Sequence, residues 1–484
     1  MDPIEKDKNT GIAREIVNDD RRVRQAVVVI HGMGEQQPME TLRSFVDAVL
    51  PEHPGDSPKY RSKPDAMNDL LETRCLQAPR NRQSGRPLTD FYEYYWAHHM
   101  QGSKYSQVLK WLLKLMLRRP GHIPRALKPA YFLSWLLTLT ALSLWLIAVV
   151  ETGKGEAGFM EGMGIVTGLI MLAVQWVGAF FILGYVADAA RYLTPSPGNI
   201  EARNKIRSEG IKLLRTLHKS GKYRRIVVVG HSLGSVIGYD IIRHLWVDLR
   251  KPEVPYPQKQ TELKQFEKEA KKLDEGDLTA EKIEQFQQYQ HGLWQEYRKV
   301  GIPWLVTDFL TMGSPLAHAL LLMADDPDSC KLKMEQYEYP CCPLGGRDSP
   351  YYGQQYQMAG DGGIRNLSIP HHGAAFSSVR WTNLYFPYRW LVLGDLVAGK
   401  LNSVFGKGIR DIPVTPPKGK FLDRTLLSHI RYWTVRQGGS NSLEALRKAL
   451  RLDFLTGNSW KIRPGLPAND AEDKQPAADG NPTA

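Results

Sequence analysis

The sequence predicts an α/β protein: a mostly parallel sheet flanked by helices. Three observations lead there. Residues 25–30 read QAVVVI and residues 226–229 read IVVV. Short continuous apolar runs of this kind suit strands covered on both faces, as parallel strands are. Each run opens at once into a glycine-rich turn, His31-Gly32-Met33-Gly34 after the first and Gly230-His231-Ser232-Leu233-Gly234 after the second. Helical periodicity then separates the strands. Ile206, Leu213, Leu214 and Leu217 form an apolar stripe before the second run, with Asn199 placed to cap it, and residues 236–242 continue as a helix after it. Further strands are expected at 304–312 and 380–386, which extend the same sheet.

Read along the chain, the 484 residues divide into seven stretches. Residues 1–24 are a polar, charged N-terminal extension without the apolar stretch of a signal peptide. Residues 25–129 begin the core, and 130–190 interrupt it. Within that interruption, 131–150 is uncharged and apolar over the length a helix needs to cross a bilayer. A second such stretch, 162–187, carries Gly164, Gly168, Ala173 and Gly178, small residues that let two helices approach closely. The expectation is a two-helix transmembrane hairpin. A pair of buried core helices, or a hydrophobic lid, is the alternative. Residues 191–250 return to the core, 251–300 form a charged helical insertion, 301–463 complete the core, and 464–484 have the composition of a disordered tail.

Charge fixes an orientation for the hairpin. Lys110, Lys114, Arg118, Arg119, Arg125 and Lys128 precede the first span, and Arg191, Arg203, Lys205 and Arg207 follow the second. The connection carries Glu151, Lys154, Glu156 and Glu161. Basic flanks stay on the cytoplasmic side, so the protein is expected to be a two-span membrane protein with both core halves facing the cytoplasm. Residues 105–119 alternate Lys and Arg with Leu, Trp and Met at helical spacing, which suits a helix lying on an anionic leaflet or a core helix with one solvated face. The net charge of +12 is thus assigned to the lipid bilayer as partner, not to nucleic acid, for which no recognisable binding module is present. Cys75, Cys330, Cys341 and Cys342 make neither a disulfide framework nor, with histidine, a zinc site, and read as reduced thiols.

The chemistry centres on G-x-S-x-G at 230–234. After a buried strand, this pattern makes a sharp turn with the serine hydroxyl at its tip. Ser232 is therefore the candidate nucleophile. A serine hydroxyl needs a base and a site for the oxyanion. The turn at 31–34 supplies one backbone N–H, from Met33 or Gly32, and Leu233 supplies the second. In chain order the acid and the histidine should follow, which selects Asp395 and His429. Asp411 and Asp423 compete with Asp395. His371 and His372 precede the strand at 380–386 and break the order. His31 and His231 flank the turns and are candidate substrate contacts. Such a triad needs no metal or organic cofactor. There is no G-x-x-x-x-G-K-[ST], so a nucleotide P-loop is excluded. The stretch 259–299, dense in Glu, Lys and Gln and broken at Gly276-Asp277, reads as a helical hairpin whose charges are either a solvated face, a lid or a partner-binding arm.

These residues together resemble the α/β-hydrolase superfamily, specifically its lipase-like members and the intracellular phospholipase A1 enzymes. The resemblance rests on GHSLGSVIGYDII at 230–242, FLTMGSPLA at 309–317, WTNLYFPYRWLVLGDLV at 381–397, SHIRYW at 428–433 and HGMGEQ at 31–36. It departs from the pattern at 388–392, where YRWLV separates Asn383 from Asp395. The resemblance implies an α/β-hydrolase fold and hydrolysis of a carboxylic ester of a lipid through an acyl-enzyme. A thioesterase, a small-ester esterase, or a non-catalytic membrane scaffold on the same fold are the rival expectations.

Overall fold

The computed structural model describes residues 24–33, 37–50, 58–81, 84–100, 117–123, 192–193, 197–252, 260–273, 275, 277–324, 326–344, 354–360, 363–389, 393–416, 421–435 and 441–453, with scattered positions between 127 and 143. Their strands are β1 (Arg24–Ile30), β2 (Arg61–Pro64), β3 (Arg74–Ala78), β4 (Leu88–Tyr94), β5 (Arg225–His231), β6 (Val306–Met312), β7 (Gln354–Gly360), β8 (Gly363–Ile369), β9 (Arg380–Tyr385) and β10 (Arg410–Pro413). Eight of them form one sheet in the order β10-β9-β6-β5-β1-β4-β3-β2, and β7 and β8 pair as a separate hairpin. From β10 to β4 every neighbouring pair is parallel, while β3 runs antiparallel to both β4 and β2. The protein is thus α/β, with a mostly parallel sheet.

Strand alternation builds the two faces. Ala26, Val28, Ile30, Ile226 and Val228 point to one side and Val27, Val29, Val227 and Val229 to the other, all of them buried. The first side is covered by α2 (Pro197–Lys219), α3 (Leu233–Leu249), α4 (Thr261–Lys272) and α5 (Ala280–Lys299). The second is covered by α1 (Glu40–Val49) and α6 (Asn441–Leu450), through Leu42, Phe45 and Val46 on α1 and Leu443, Leu446 and Leu450 on α6. Covered on both faces, the central strands need apolar side chains at every position, which is why they read as unbroken runs.

The charged stretch resolves as two packed helices, α4 and α5. Their apolar residues are core: Phe266, Phe286, Leu293 and Trp294 are all buried. Gln290 donates to the carbonyls of Phe376 and Val379, and the Trp294 indole donates to the Trp304 carbonyl. Most of the charges face outward, but Glu296 and Arg298 are buried, Glu296 accepting the Glu262 and Leu263 N–H groups of α4 and Arg298 donating to the Ile302 carbonyl. Asn199 falls inside the first turn of α2, since the helix begins at Pro197, and it is buried instead of capping. Proline suits that first position because it has no N–H to leave unpaired.

Among the described residues no helix is long and apolar enough to cross a membrane. The expected spans fall largely (131–150) or wholly (162–187) outside those residues, as do the stretch 105–116 and the tail 464–484.

The chain leaves β1 to build the β4-β3-β2 side and returns to build β5, β6, β9 and β10 on the other. At such a reversal the two flanking connections diverge and open a crevice beyond the carboxyl ends of the strands. Ile30 pairs with Gly230 there, so the turns that follow β1 and β5 emerge side by side.

Candidate active site

Ser232 sits between β5 and α3 with φ 51° and ψ −127°, a backbone conformation that L-residues avoid. A strain of roughly 1–3 kcal/mol persists only where surroundings over-determine it. Here they do. The Ser232 N–H is held by the Met312 carbonyl at 2.9 Å, and its own carbonyl accepts from the Ser235 N–H at 3.0 Å and the Ser235 hydroxyl at 2.6 Å. The Ser235 hydroxyl in turn meets that of Ser314, at 2.7 Å, in the turn after β6. The flanking glycines are steric necessities. A Cβ on Gly230 would lie 2.5 Å from Ser235 Cα, and one on Gly234 would lie 2.2 Å from the Ile30 carbonyl oxygen.

The turn after β1 comes into direct contact. A Cβ on Gly32 would be 2.9 Å from Ser232 Cβ, so the backbone of the first turn lies against the serine. Leu233 is the first residue of α3, and first-turn N–H groups have no partner within their helix. Gly32 lies against Ser232 and Leu233 follows it in the chain, while Met33 is the next residue after Gly32 in the first turn.

His429 lies on a short 3₁₀ turn, Leu426–Ile430. Its Nδ1 is 2.8 Å from Asp395 Oδ2. A carboxylate only accepts, so Nδ1 carries a proton, which in the neutral imidazole leaves Nε2 as the acceptor. Two contacts bring this ring to the elbow. His231 Nε2 donates to the His429 carbonyl at 2.9 Å, and the His231 and His429 rings lie 5.1 Å apart. The His429 ring also rests on the glycine after β6, where a Cβ on Gly313 would be 3.0 Å from His429 Cε1. Ser232 Oγ and His429 Nε2 are both buried with no hydrogen-bond partner among the described residues. An unpartnered hydroxyl and an unpartnered basic nitrogen at one site are what an attacking group and its base look like before substrate arrives, since such contacts tighten only in the complex.

Asp395 is fully buried and held at both oxygens. Oδ1 accepts the Val397 and Ala398 N–H groups at 2.9 and 3.3 Å. Oδ2 accepts His429 Nδ1 and the Tyr432 hydroxyl, each at 2.8 Å. Burial works to raise its pKa, but His429 and these hydrogen bonds outweigh it and hold the carboxyl below its ordinary value. It is an ionised orienter for the imidazole. Its loop is pinned to that of His429 by Gly394 N–H to the Arg424 carbonyl, at 2.8 Å, and to the 3₁₀ turn Pro315–His318 after β6 by His318 Nε2, which donates to the Leu396 carbonyl. The five-residue departure at 388–392 leaves this arrangement intact.

The competing residues are elsewhere. Asp411 accepts the N–H groups of Leu401 and Asn402 and the Asn383 amide, closing a loop between β9 and β10. Asp423 pairs with Arg431. His371 lies against the far end of α3, where its carbonyl accepts the Trp246 indole N–H. Trp246 is fourteen residues beyond Ser232, roughly 20 Å along the helix. The His372 ring lies beside that of His371, centroids 3.9 Å apart and tilted by 45°.

His31 and His231, expected to touch substrate, are turned into the protein. His31 donates from Nδ1 to the Gly32 carbonyl, accepts the Trp96 N–H at Nε2, and stacks on the Trp96 indole at 5.0 Å. The Trp96 indole N–H donates back to the His31 carbonyl. Burial pushes the His31 pKa down to about 4, and burial together with the His429 ring pushes His231 down to about 3. Both are neutral props, one for the turn after β1 and one for His429. Tyr432, Gly313, Ser235 and Ser314 complete the site and were not singled out in the sequence reading. Tyr432 had a signal only in its nearness: it lies three residues past His429, just beyond the 3₁₀ turn that ends at Ile430.

Compared with models of protein families, with curated proteins and with solved structures, the chain matches none.

Proposed function

We propose that the protein is a serine hydrolase of α/β-hydrolase type, anchored in a membrane by a hairpin at 130–190, that cleaves a carboxylic ester of a lipid. One observation carries the catalytic part of this reading. A serine in a strained strand-to-helix turn has an unpartnered hydroxyl, and the histidine brought to it has one nitrogen fixed by a buried carboxylate and the other unpartnered.

In this reading Ser232 Oγ attacks the acyl carbonyl and passes its proton to His429 Nε2. The charge that develops on the carbonyl oxygen is received by the N–H groups of Leu233 and of Met33 or Gly32. When the tetrahedral intermediate collapses, the C–O bond to the alcohol breaks and His429 gives its proton to the leaving oxygen. Water then attacks the acyl-enzyme, with His429 as base again, releasing the acid and restoring Ser232. Asp395 stays ionised throughout, fixing the tautomer and stabilising the imidazolium.

The lipid and membrane part rests on the apolar stretches at 131–150 and 162–187 and their basic flanks. It is supported by Phe132, Leu136 and Leu139, three exposed apolar side chains at helical spacing within the first stretch. Such a face in water is costly and in a bilayer is not. With both core halves on the basic side, the site would face the cytoplasm.

The test is a substrate panel for purified full-length protein and its Ser232→Ala variant: phospholipid vesicles, a long-chain acyl thioester and a short aryl ester. The reading expects turnover of the vesicle lipid, lost by a factor of about 10³ or more in the variant. Turnover of the thioester or aryl ester alone would replace the lipid substrate with one of the rival ester classes. Turnover of none would favour a scaffold.

A further inference from the structure

We infer that His98, His99 and Glu209 form a binding site for one divalent transition-metal ion, with zinc the best match to their chemistry. One ligand atom from each of the three residues lies within 4.8 Å of the others. Glu209 Oε2 is 2.7 Å from His99 Nε2 and 3.9 Å from His98 Nε2. Ligands at 2.0–2.2 Å from a tetrahedral zinc are about 3.3–3.6 Å from one another, between those two separations. Two imidazole nitrogens and one carboxylate oxygen are a common zinc donor set, and three protein ligands leave a fourth position for water.

A plain ion pair needs one histidine and one carboxylate. Here a second imidazole is crowded onto the same oxygen, with the two ring centroids only 3.8 Å apart. Two rings sharing one carboxylate are unfavourable if both carry protons, and are favourable around a cation that neutral imidazoles can ligate.

The arrangement is held by packing from two elements. His98 and His99 lie on the 3₁₀ turn Ala97–Met100 that follows β4, and Glu209 lies on α2. The hydroxyl of Tyr94, at the end of β4, donates to the Ile206 carbonyl of α2. Gly210, next to Glu209, lets the helix lie against that strand end, since a Cβ there would be 2.2 Å from Ile241 Cδ1 and 3.0 Å from Tyr94 Cε1. The His98 ring is fixed by stacking on Tyr95, centroids 5.6 Å apart. The site is also reachable from solvent, the Glu209 side chain being 44 % exposed. An ion here would clamp the turn after β4 to α2. The same turn follows Trp96, which holds His31 and hence the glycine turn beside Ser232. Its place is structural, outside the reaction at Ser232.

The test uses the full chain, stripped with a chelator and titrated with Zn²⁺ alone, read by calorimetry and by elemental analysis after desalting. One Zn²⁺ per chain is expected. Affinity should fall by at least about 100-fold in His99→Ala and in Glu209→Gln, a larger loss than removing an outer partner of a metal ligand causes, and stay unchanged in His244→Ala, an exposed histidine on α3. As a readout on the unaltered protein, zinc should protect His98 and His99 from diethylpyrocarbonate, located by mass spectrometry. No saturable binding by the wild-type chain, or binding with His98 and His99 still fully modified, would reduce the cluster to an ion pair and overturn the inference.

Discussion

Gly313→Ala should disable the site through a single methyl group. Gly313 has φ +59°, and a Cβ on it would lie 3.0 Å from His429 Cε1, 3.0 Å from Tyr432 Cε2 and 3.1 Å from His429 Nδ1. Ordinary contact begins near 3.4 Å, so the imidazole must retreat by about 0.4 Å or more. It cannot do so freely. Its Nδ1 is held by Asp395 at 2.8 Å, and Asp395 is fixed at four hydrogen bonds. Cε1 lies between the two ring nitrogens, so a displaced ring carries Nε2 with it. A misplacement of about 1 Å costs roughly 100-fold in rate, and 0.4 Å with a tilted ring should cost about 10- to 100-fold in kcat.

The positive φ adds a backbone cost of about 1–2 kcal/mol that has nothing to do with the imidazole. Gly221→Ala isolates it. Gly221 has φ +65° with no neighbour within 4 Å of a Cβ. Both variants should lose a few degrees of Tm, and only Gly313→Ala should lose activity. The assay is the rate of covalent labelling of Ser232 by a fluorophosphonate probe, with Tm measured alongside. Equal labelling rates in the two variants would show that His429 does not act from the position over Gly313, and would refute the reasoning.

Two further outcomes follow from the same contacts. Tyr432→Phe removes a hydrogen bond to an ionised, buried carboxylate and deprives the Phe386 N–H of the hydroxyl it donates to at 3.2 Å. The expected loss is about 1.5–3 kcal/mol of stability by urea unfolding, with slower labelling of Ser232, whereas unchanged values for both would mean Asp395 is held without it. Glu93 is buried at the end of β4, where it accepts the Met39 N–H ahead of α1, and burial pushes its pKa from the ordinary 4.5 up to about 7. The folded state then keeps a proton that the unfolded chain releases, so stability should fall as pH rises from 4.5 to 7, by about 3 kcal/mol for a shift of about 2.5 units. Glu93→Gln should abolish that part of the slope in unfolding measured across pH 5–8, and an unchanged slope would place its origin elsewhere.

Much of this geometry was legible in the residues because it is made by local rules. Val227 and Val229 face one layer and Ile226 and Val228 the other, so burial on both sides writes itself into an unbroken apolar run. Gly230 and Gly234 are dictated by backbone atoms within three ångströms, which leaves glycine as the only residue that fits. The edge strands were harder to read. β2 is exposed along its length and reads RSKP, and β10 reads RDIP, so neither has an apolar signature. Their strand character comes from pairing with β3 and β9. The roles of His31 and His231 were also hidden. A histidine beside a glycine turn has the same sequence signature whether it faces substrate or the interior. Only Trp96, 65 positions away, and the carbonyl of His429, 198 positions away, turn these rings inward. The charged stretch 259–299 was read for its charges, while its structural role lies in the apolar minority, Phe266, Phe286, Leu293 and Trp294.

The measurement that bears most directly on the account is mass-spectrometric mapping of a fluorophosphonate adduct on the full-length protein, with Asp395→Asn and His429→Asn in parallel. Ser232 should carry the adduct in the wild-type chain, and the rate of its formation should fall by about 10³-fold or more in both variants. An unlabelled Ser232, or a label that forms as fast without His429 or Asp395, would contradict it.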